Sequence, residues 1–121
     1  MTSKEICKNR IELLQGTLDM LILRTLLHGA SHGHDIGKHI QRTTNDFLQM
    51  QHGSLYPALH RLERQKLIAA EWSVSENNQR VRVYRLSAAG KKKLASERSR
   101  WAQISQAIAG ILNPGGEESE A

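Results

Sequence analysis

Apolar positions along the chain fall into blocks with different spacings, and each change of spacing marks a new element. From Glu12 to His28 they crowd nearly every side of a helix: Leu13, Leu14, Leu18, Met20, Leu21, Ile22, Leu23, Leu26 and Leu27. A helix that is apolar on several sides must be buried on more than one face, so part of this surface is expected to meet a second subunit. A turn-like stretch, Ser31-His32-Gly33-His34-Asp35, leads into a short helix from about His34 to Thr44, with Ile36 and Ile40 four residues apart. Asn45 to Gln51 reads as a connector in which Leu48 and Met50 alternate inward. Leu55, Leu59 and Leu62 then form the buried stripe of a third helix. Ser54 is its expected N-cap, which puts Pro57 at the third helical position, where the missing N–H is of no consequence. Pro57, His60, Arg61 and Arg64 project to the opposite side, with Tyr56 at the boundary.

The period next drops to two. Ile68, Ala70, Trp72 and Val74 alternate with Ala69, Glu71 and Ser73; a polar tip runs from Ser75 to Arg80; then Arg82, Tyr84 and Leu86 alternate with Val81, Val83 and Arg85. This is a two-stranded hairpin with a basic descending strand. Trp72 is expected in the core at its root. A last helix starts near Ser87, a good N-cap, and runs to about Leu112. Leu94, Trp101, Ile104, Ile108 and Ile111 give it a coiled-coil-like seam, too short to stand alone, so the seam must pack elsewhere, with the first helix the obvious candidate. Helix, turn, helix and basic hairpin is the order of a winged helix-turn-helix. The expected fold is mainly α with a small two-stranded β wing and a C-terminal dimerisation helix. Residues 1–10 are expected to form a flexible arm, 11–87 the winged domain, 88–112 the dimerisation helix and 113–121 a disordered acidic tail.

Charge sharpens this picture. The formal net charge is +5, from 17 Lys and Arg against 12 Asp and Glu. Glu117, Glu118 and Glu120 sit in the tail, so the body is more basic still. A basic body favours polyanions, although a merely solvated surface has the same composition. The lone Cys7 cannot form an internal disulfide, no stretch resembles a signal peptide, and no apolar run reaches the ~18 residues of a spanning helix. A cytoplasmic protein is expected, away from membranes.

Other chemistry is poorly supported. His28, His32, His34 and Asp35 crowd one turn, but a zinc site needs converging ligands, and turn chemistry accounts for His32-Gly33 as well; no metal or cofactor is expected. No phosphate loop, nucleophile elbow or carboxylate pair suggests an enzyme. Glu63, Glu71 and Glu76 lie among arginines, where solvated ion pairs are the ordinary reading.

The run Leu14-Gln15-Gly16-Thr17-Leu18-Asp19-Met20-Leu21-Ile22-Leu23 resembles the first helix of PadR-family regulators. Similar to that family too are His32-Gly33, the run from Gly53-Ser54-Leu55-Tyr56-Pro57-Ala58 to Leu59-His60-Arg61-Leu62-Glu63, and the hairpin's Glu71-Trp72 and Ser75-Glu76-Asn77-Asn78. So is its exit, Tyr84-Arg85-Leu86-Ser87-Ala88-Ala89-Gly90. The resemblance spans about residues 12 to 112 and is greatest to the branch described as acidobacterial-type; His34 stands where many members have Tyr. It implies a homodimer on a pseudo-palindromic double-stranded operator, usually a repressor, released by a small molecule.

On this reading Ser54, Tyr56, Pro57, His60 and Arg61 enter the major groove, with Arg61 reading a base directly and Arg64 reaching the backbone. Asn78, Gln79, Arg80 and Arg82 place the wing on the backbone or minor groove, and Lys38 is a further phosphate candidate. Leu14, Leu18, Leu94, Trp101, Ile104, Ile108 and Ile111 form the expected dimer interface. Trp101 is either a seam residue or the stacking surface for a flat aromatic effector. Two rivals stay open: a winged domain binding an acidic protein partner, and an RNA binder, for which the aromatic stacking platform is missing.

Overall fold

The computed structural model of the chain describes residues 17–48 and 52–114. The expected N-terminal arm, Cys7, Leu13, Leu14, Met50 and the acidic tail beyond Pro114 lie outside them. The described part contains a first helix, α1, over residues 17–27. After it come β1 (Ser31–His32), α2 (Gly33–Thr43), α3 (His52–Arg64), β2 (Ile68–Val74), β3 (Arg80–Leu86) and α4 (Ala88–Leu112). No helix among the described residues is long and apolar enough to cross a membrane.

The core is built by the spacings the sequence displays. Leu18, Met20, Ile22, Leu23 and Leu26 from α1 meet Ile36 and Ile40 from α2 and Leu55, Ala58, Leu59 and Leu62 from α3. Ile68, Tyr84 and Leu94 close the cluster from β2, β3 and α4. The breadth of α1's apolar surface is thus absorbed largely within its own chain, with Leu27 left exposed.

Four expectations need correction. First, α3 begins at His52, so Ser54 lies inside the helix and Pro57 is its sixth residue. At that position the proline has no N–H to offer the carbonyl of Gly53, so it removes a helical bond that a residue at the third position would not have made. Second, the two-stranded wing, β2 and β3, is joined by a third strand that was not expected, in the order β1-β3-β2. Ser31 and His32, read as a turn, pair antiparallel with Tyr84 and Val83; two residues carry no alternation that sequence could reveal. Third, Trp72 does not sit in the core but is 55% exposed. On its side of the hairpin Ile68 and Tyr84 are buried, and beyond them the ribbon leaves the helical body. Fourth, the α4 seam does not pack within the described chain. Leu94 is buried, but Trp101, Ile104, Ile108 and Ile111 are all exposed.

Two junctions set the wing against the helices. Lys66, in the left-handed region at φ 62, ends α3, and the Leu67 amide donates to the Leu62 carbonyl at 3.0 Å. Ser87 caps α4 as expected: its hydroxyl accepts from the Gly90 amide at 3.0 Å. The same hydroxyl donates toward the Lys66 and Leu67 carbonyls at 2.8 and 2.9 Å, tying the start of α4 to the end of α3.

Candidate nucleic-acid interface

The inward stripe of α3 decides what faces out. Ala58 is buried along with Leu55, Leu59 and Leu62. At about 100° per residue this turns the buried face toward the Ala58 side and leaves Pro57, His60 and Arg64 as the outermost strip; all three are exposed. Ser54 and Tyr56 are half-buried on its flanks. Arg61 falls on a flank too, beside α1. Its Nη2 donates to Asp19 Oδ1 at 2.5 Å and its Nε to Oδ2 at 3.4 Å. A bidentate pair of this kind fixes the guanidinium plane, so the residue expected to read a base is bound to its own first helix.

The wing carries its charges on two faces. On one, Arg85 is paired with Glu71. On the other, Arg82 Nη2 donates to Glu63 Oε2 of α3 at 2.7 Å, joining wing to helix. Arg80 stands nearer the tip, its guanidinium 4.4 Å from the centre of the Trp72 ring. The tip is a tight turn: the Ser75 amide donates to the Gln79 carbonyl at 2.8 Å, and Asn78 adopts φ 61. Asn78 and Gln79 are exposed there.

Between the wing and the start of α2 lies an open groove of about 400 Å³, with His34, Tyr56, Arg80, Arg82 and Tyr84 among its lining residues. Gly33 makes it possible for Tyr56 to cross the start of α2: a Cβ there would lie 2.7 Å from the Tyr56 ring. The N-cap residue of α2, His32, makes no side-chain cap hydrogen bond at this positive end of the helix. Burial pushes the Tyr84 phenol above the ordinary tyrosine value, against the pull of Arg82, with Glu63 and Tyr56 adding to the rise. Its hydroxyl is therefore neutral and a donor at physiological pH.

Lys38 is exposed on α2, and Arg42, one turn further on the same face, joins it. Sequence reasoning passed over Arg42, although its i+4 spacing from Lys38 was visible. Among the described residues no ion pair engages Lys38, Arg42, Arg64 or Arg80. The histidines between the end of α1 and the first turn of α2 meet one another and their neighbours: His32 contacts Asp35 at 3.1 Å, His28 contacts Arg24 at 3.0 Å, and the His32 and His34 rings stack. No three His, Cys, Asp or Glu side chains among the described residues come together as metal ligands.

Of the expected interface between subunits, Leu18 and Leu94 are buried in the chain's own core and present no surface to a partner. Trp101, Ile104, Ile108 and Ile111 form an exposed strip on α4, past the last residue that helix buries.

A sequence model of the "Transcriptional regulator PadR-like family" matches residues 22–96. The transcriptional regulator Rv3488 of Mycobacterium tuberculosis is 32% identical over 84 residues, covering 69% of this chain and 71% of the relative. Among solved structures, a transcriptional regulator from Clostridium thermocellum superposes with a TM-score of 0.78 at 26% identity, covering 84% of this chain and 99% of the other. A PadR family transcriptional regulator from Eggerthella lenta gives 0.75 at 25% identity, covering 93% and 96%.

Proposed function

Because the chain belongs to the PadR-like family of transcriptional regulators, whose members bind DNA, we propose that it is a homodimeric repressor reading a pseudo-palindromic operator. The observation that carries this reading is a set of exposed cations that no ion pair engages among the described residues, Lys38 and Arg42 on α2, Arg64 on α3 and Arg80 on the wing, together with the exposed strip Pro57, His60 and Arg64 of α3. Cations left unpaired are those ready to displace counterions from a phosphate backbone. In this reading α3 lies in the major groove with Ser54, Tyr56, Pro57 and His60 toward base edges. Arg64, Lys38 and Arg42 hold phosphates, and Asn78, Gln79 and Arg80 bring the wing to the backbone. Arg82 supports the wing from Glu63 instead of reaching DNA itself. The wording of α3 and the wing supports placement in the acidobacterial-type branch. The protein has no catalytic role and acts in the cytoplasm.

The test begins with the DNA immediately upstream of the protein's own coding region, searched for an inverted repeat that the protein shields from cleavage. On that site His60→Ala is expected to lose about 1–3 kcal/mol while binding random duplex almost normally. Arg80→Ala should weaken both kinds of DNA alike and flatten the salt dependence by about one unit. A shallow salt slope on every duplex would point to an acidic protein partner instead. If Arg61→Ala, and not His60→Ala, produces the loss of specificity, the pair with Asp19 opens on DNA and the assignment within α3 is wrong.

Release by a flat aromatic effector is supported by Trp101, a 46% exposed indole in an otherwise aliphatic strip. In a Trp72→Phe background, planar aromatics are expected to quench Trp101 in step with loss of operator binding. Quenching with no effect on DNA would exclude regulation at this residue.

A further inference from the structure

Trp72 has no packing reason to be where it is. Along one side of the hairpin the cross-strand neighbours are Ile68 and Leu86, Ala70 and Tyr84, Trp72 and Arg82, Val74 and Arg80. The first two pairs rest against the core, whereas Trp72 and Val74 are 55% and 63% exposed. A large aromatic on a ribbon with no body beneath it buries little, so its surroundings must account for it. They are cationic. The Arg80 guanidinium lies 4.4 Å from the ring centre and that of Arg82 5.6 Å, within the reach of an attractive cation–π contact. Arg82 is anchored in turn by Glu63 of α3 at 2.7 Å.

A continuous run therefore leads from the reading helix to the wing: Glu63, Arg82, Trp72, Arg80. We propose that Trp72 is a positioning residue, holding the Arg80 guanidinium beside the groove between wing and α2 so that the wing meets DNA with its charge already oriented. The proposal rests on the DNA-binding reading above. A free arginine has many rotamers, and ordering it on binding opposes association. An indole that has already restricted it removes part of that cost without touching DNA, while leaving the guanidinium edges open to phosphate.

The experiment uses the full chain and a random-sequence duplex, comparing wild type, Trp72→Ala, Trp72→Phe, Arg80→Ala and the double Trp72→Ala/Arg80→Ala variant. Trp72→Ala is expected to weaken binding about three- to tenfold on any duplex, with Trp72→Phe recovering much of the loss, since a smaller ring still offers a face. In the Arg80→Ala background, removing Trp72 should cost nothing more, because only the arginine it positions mattered. The thermal midpoint should stay unchanged, as the ring is not in the core. In the free protein, Arg80 side-chain proton resonances should show a ring-current shift that Trp72→Ala abolishes. Equal binding by wild type and Trp72→Ala, or losses that add in the double variant, would overturn the proposal; additive losses would make the indole a direct DNA contact. A wild-type protein without salt-dependent duplex binding removes the DNA reading itself, and the positioning role with it.

Discussion

Replacing both Ile104 and Ile108 with Asp is expected to convert a dimer into a monomer and to reduce operator affinity by about 100-fold or more. The magnitude follows from geometry. Two linked half-site readers gain an effective concentration at the second half-site that a single reader lacks, commonly worth 10²–10⁴ in affinity. The linkage is placed on α4 because that helix, 25 residues or about 37 Å long, buries only Gly90 and Leu94. Past Leu94 its apolar side chains stand in the open, at 40% for Ile104, 51% for Ile108 and 81% for Ile111. A single chain gains nothing by aligning them on one strip, whereas a second copy would cover them, and a carboxylate placed there would have to give up its water or hold the surfaces apart. Neither isoleucine supports the core, so the variant should fold. Sedimentation velocity checks the association state, and footprinting checks the operator. A wild-type chain that remains monomeric at micromolar concentration would refute the dimer and the pseudo-palindromic operator together.

The same strip shows how far the sequence could be read. Its 3–4–3 spacing, from Trp101 through Ile104 and Ile108 to Ile111, was visible, and so were the leucine stripe of α3, the alternation of β2 and β3 and the Ser87 cap. These features are periodic or local, and periodicity reports which residues share a face. It does not report what lies opposite that face. The stripe that buries Leu94 and the strip that exposes Ile108 belong to one pattern, divided only by where the body of the domain ends. Trp72 was misplaced for that reason: its alternation with Ile68 and Ala70 continues after the supporting helices stop. The pair that holds Arg61 on the flank of α3 escaped because Ala58, too small to mark a stripe, turns the buried face of that helix, and because Asp19 is 42 residues away in sequence. The start of α3 escaped because His52 and Gly53 carry no apolar signal, and β1 because two residues have no period.

Gly90→Ala should be the most damaging small substitution in the described chain, lowering stability by about 3 kcal/mol or more and the unfolding midpoint by about 10 °C. Helix propensity alone predicts the opposite sign, since alanine is the better helix former. Packing overrides it. A Cβ on Gly90 would sit 2.1 Å from the Leu67 carbonyl oxygen and 2.6 Å from Leu86 Cδ1. The leucine methyl can rotate away, but the carbonyl cannot. It already accepts from the Ser87 amide at 3.1 Å and from the Ser87 hydroxyl at 2.9 Å, the bonds that fasten the start of α4 to the end of α3. Relieving the clash means lifting α4 from this junction, loosening its cap and the seat of Leu94 in the core. Gly110 provides the control within the same helix: a Cβ there meets nothing within 4 Å. Gly110→Ala should therefore be neutral or stabilising by roughly 0.5–1 kcal/mol, as propensity alone would have it. Thermal unfolding of the two variants at matched concentration separates the explanations. If both shift in the same direction, propensity governs α4 and the close approach of its first turn to Leu67 has no energetic weight.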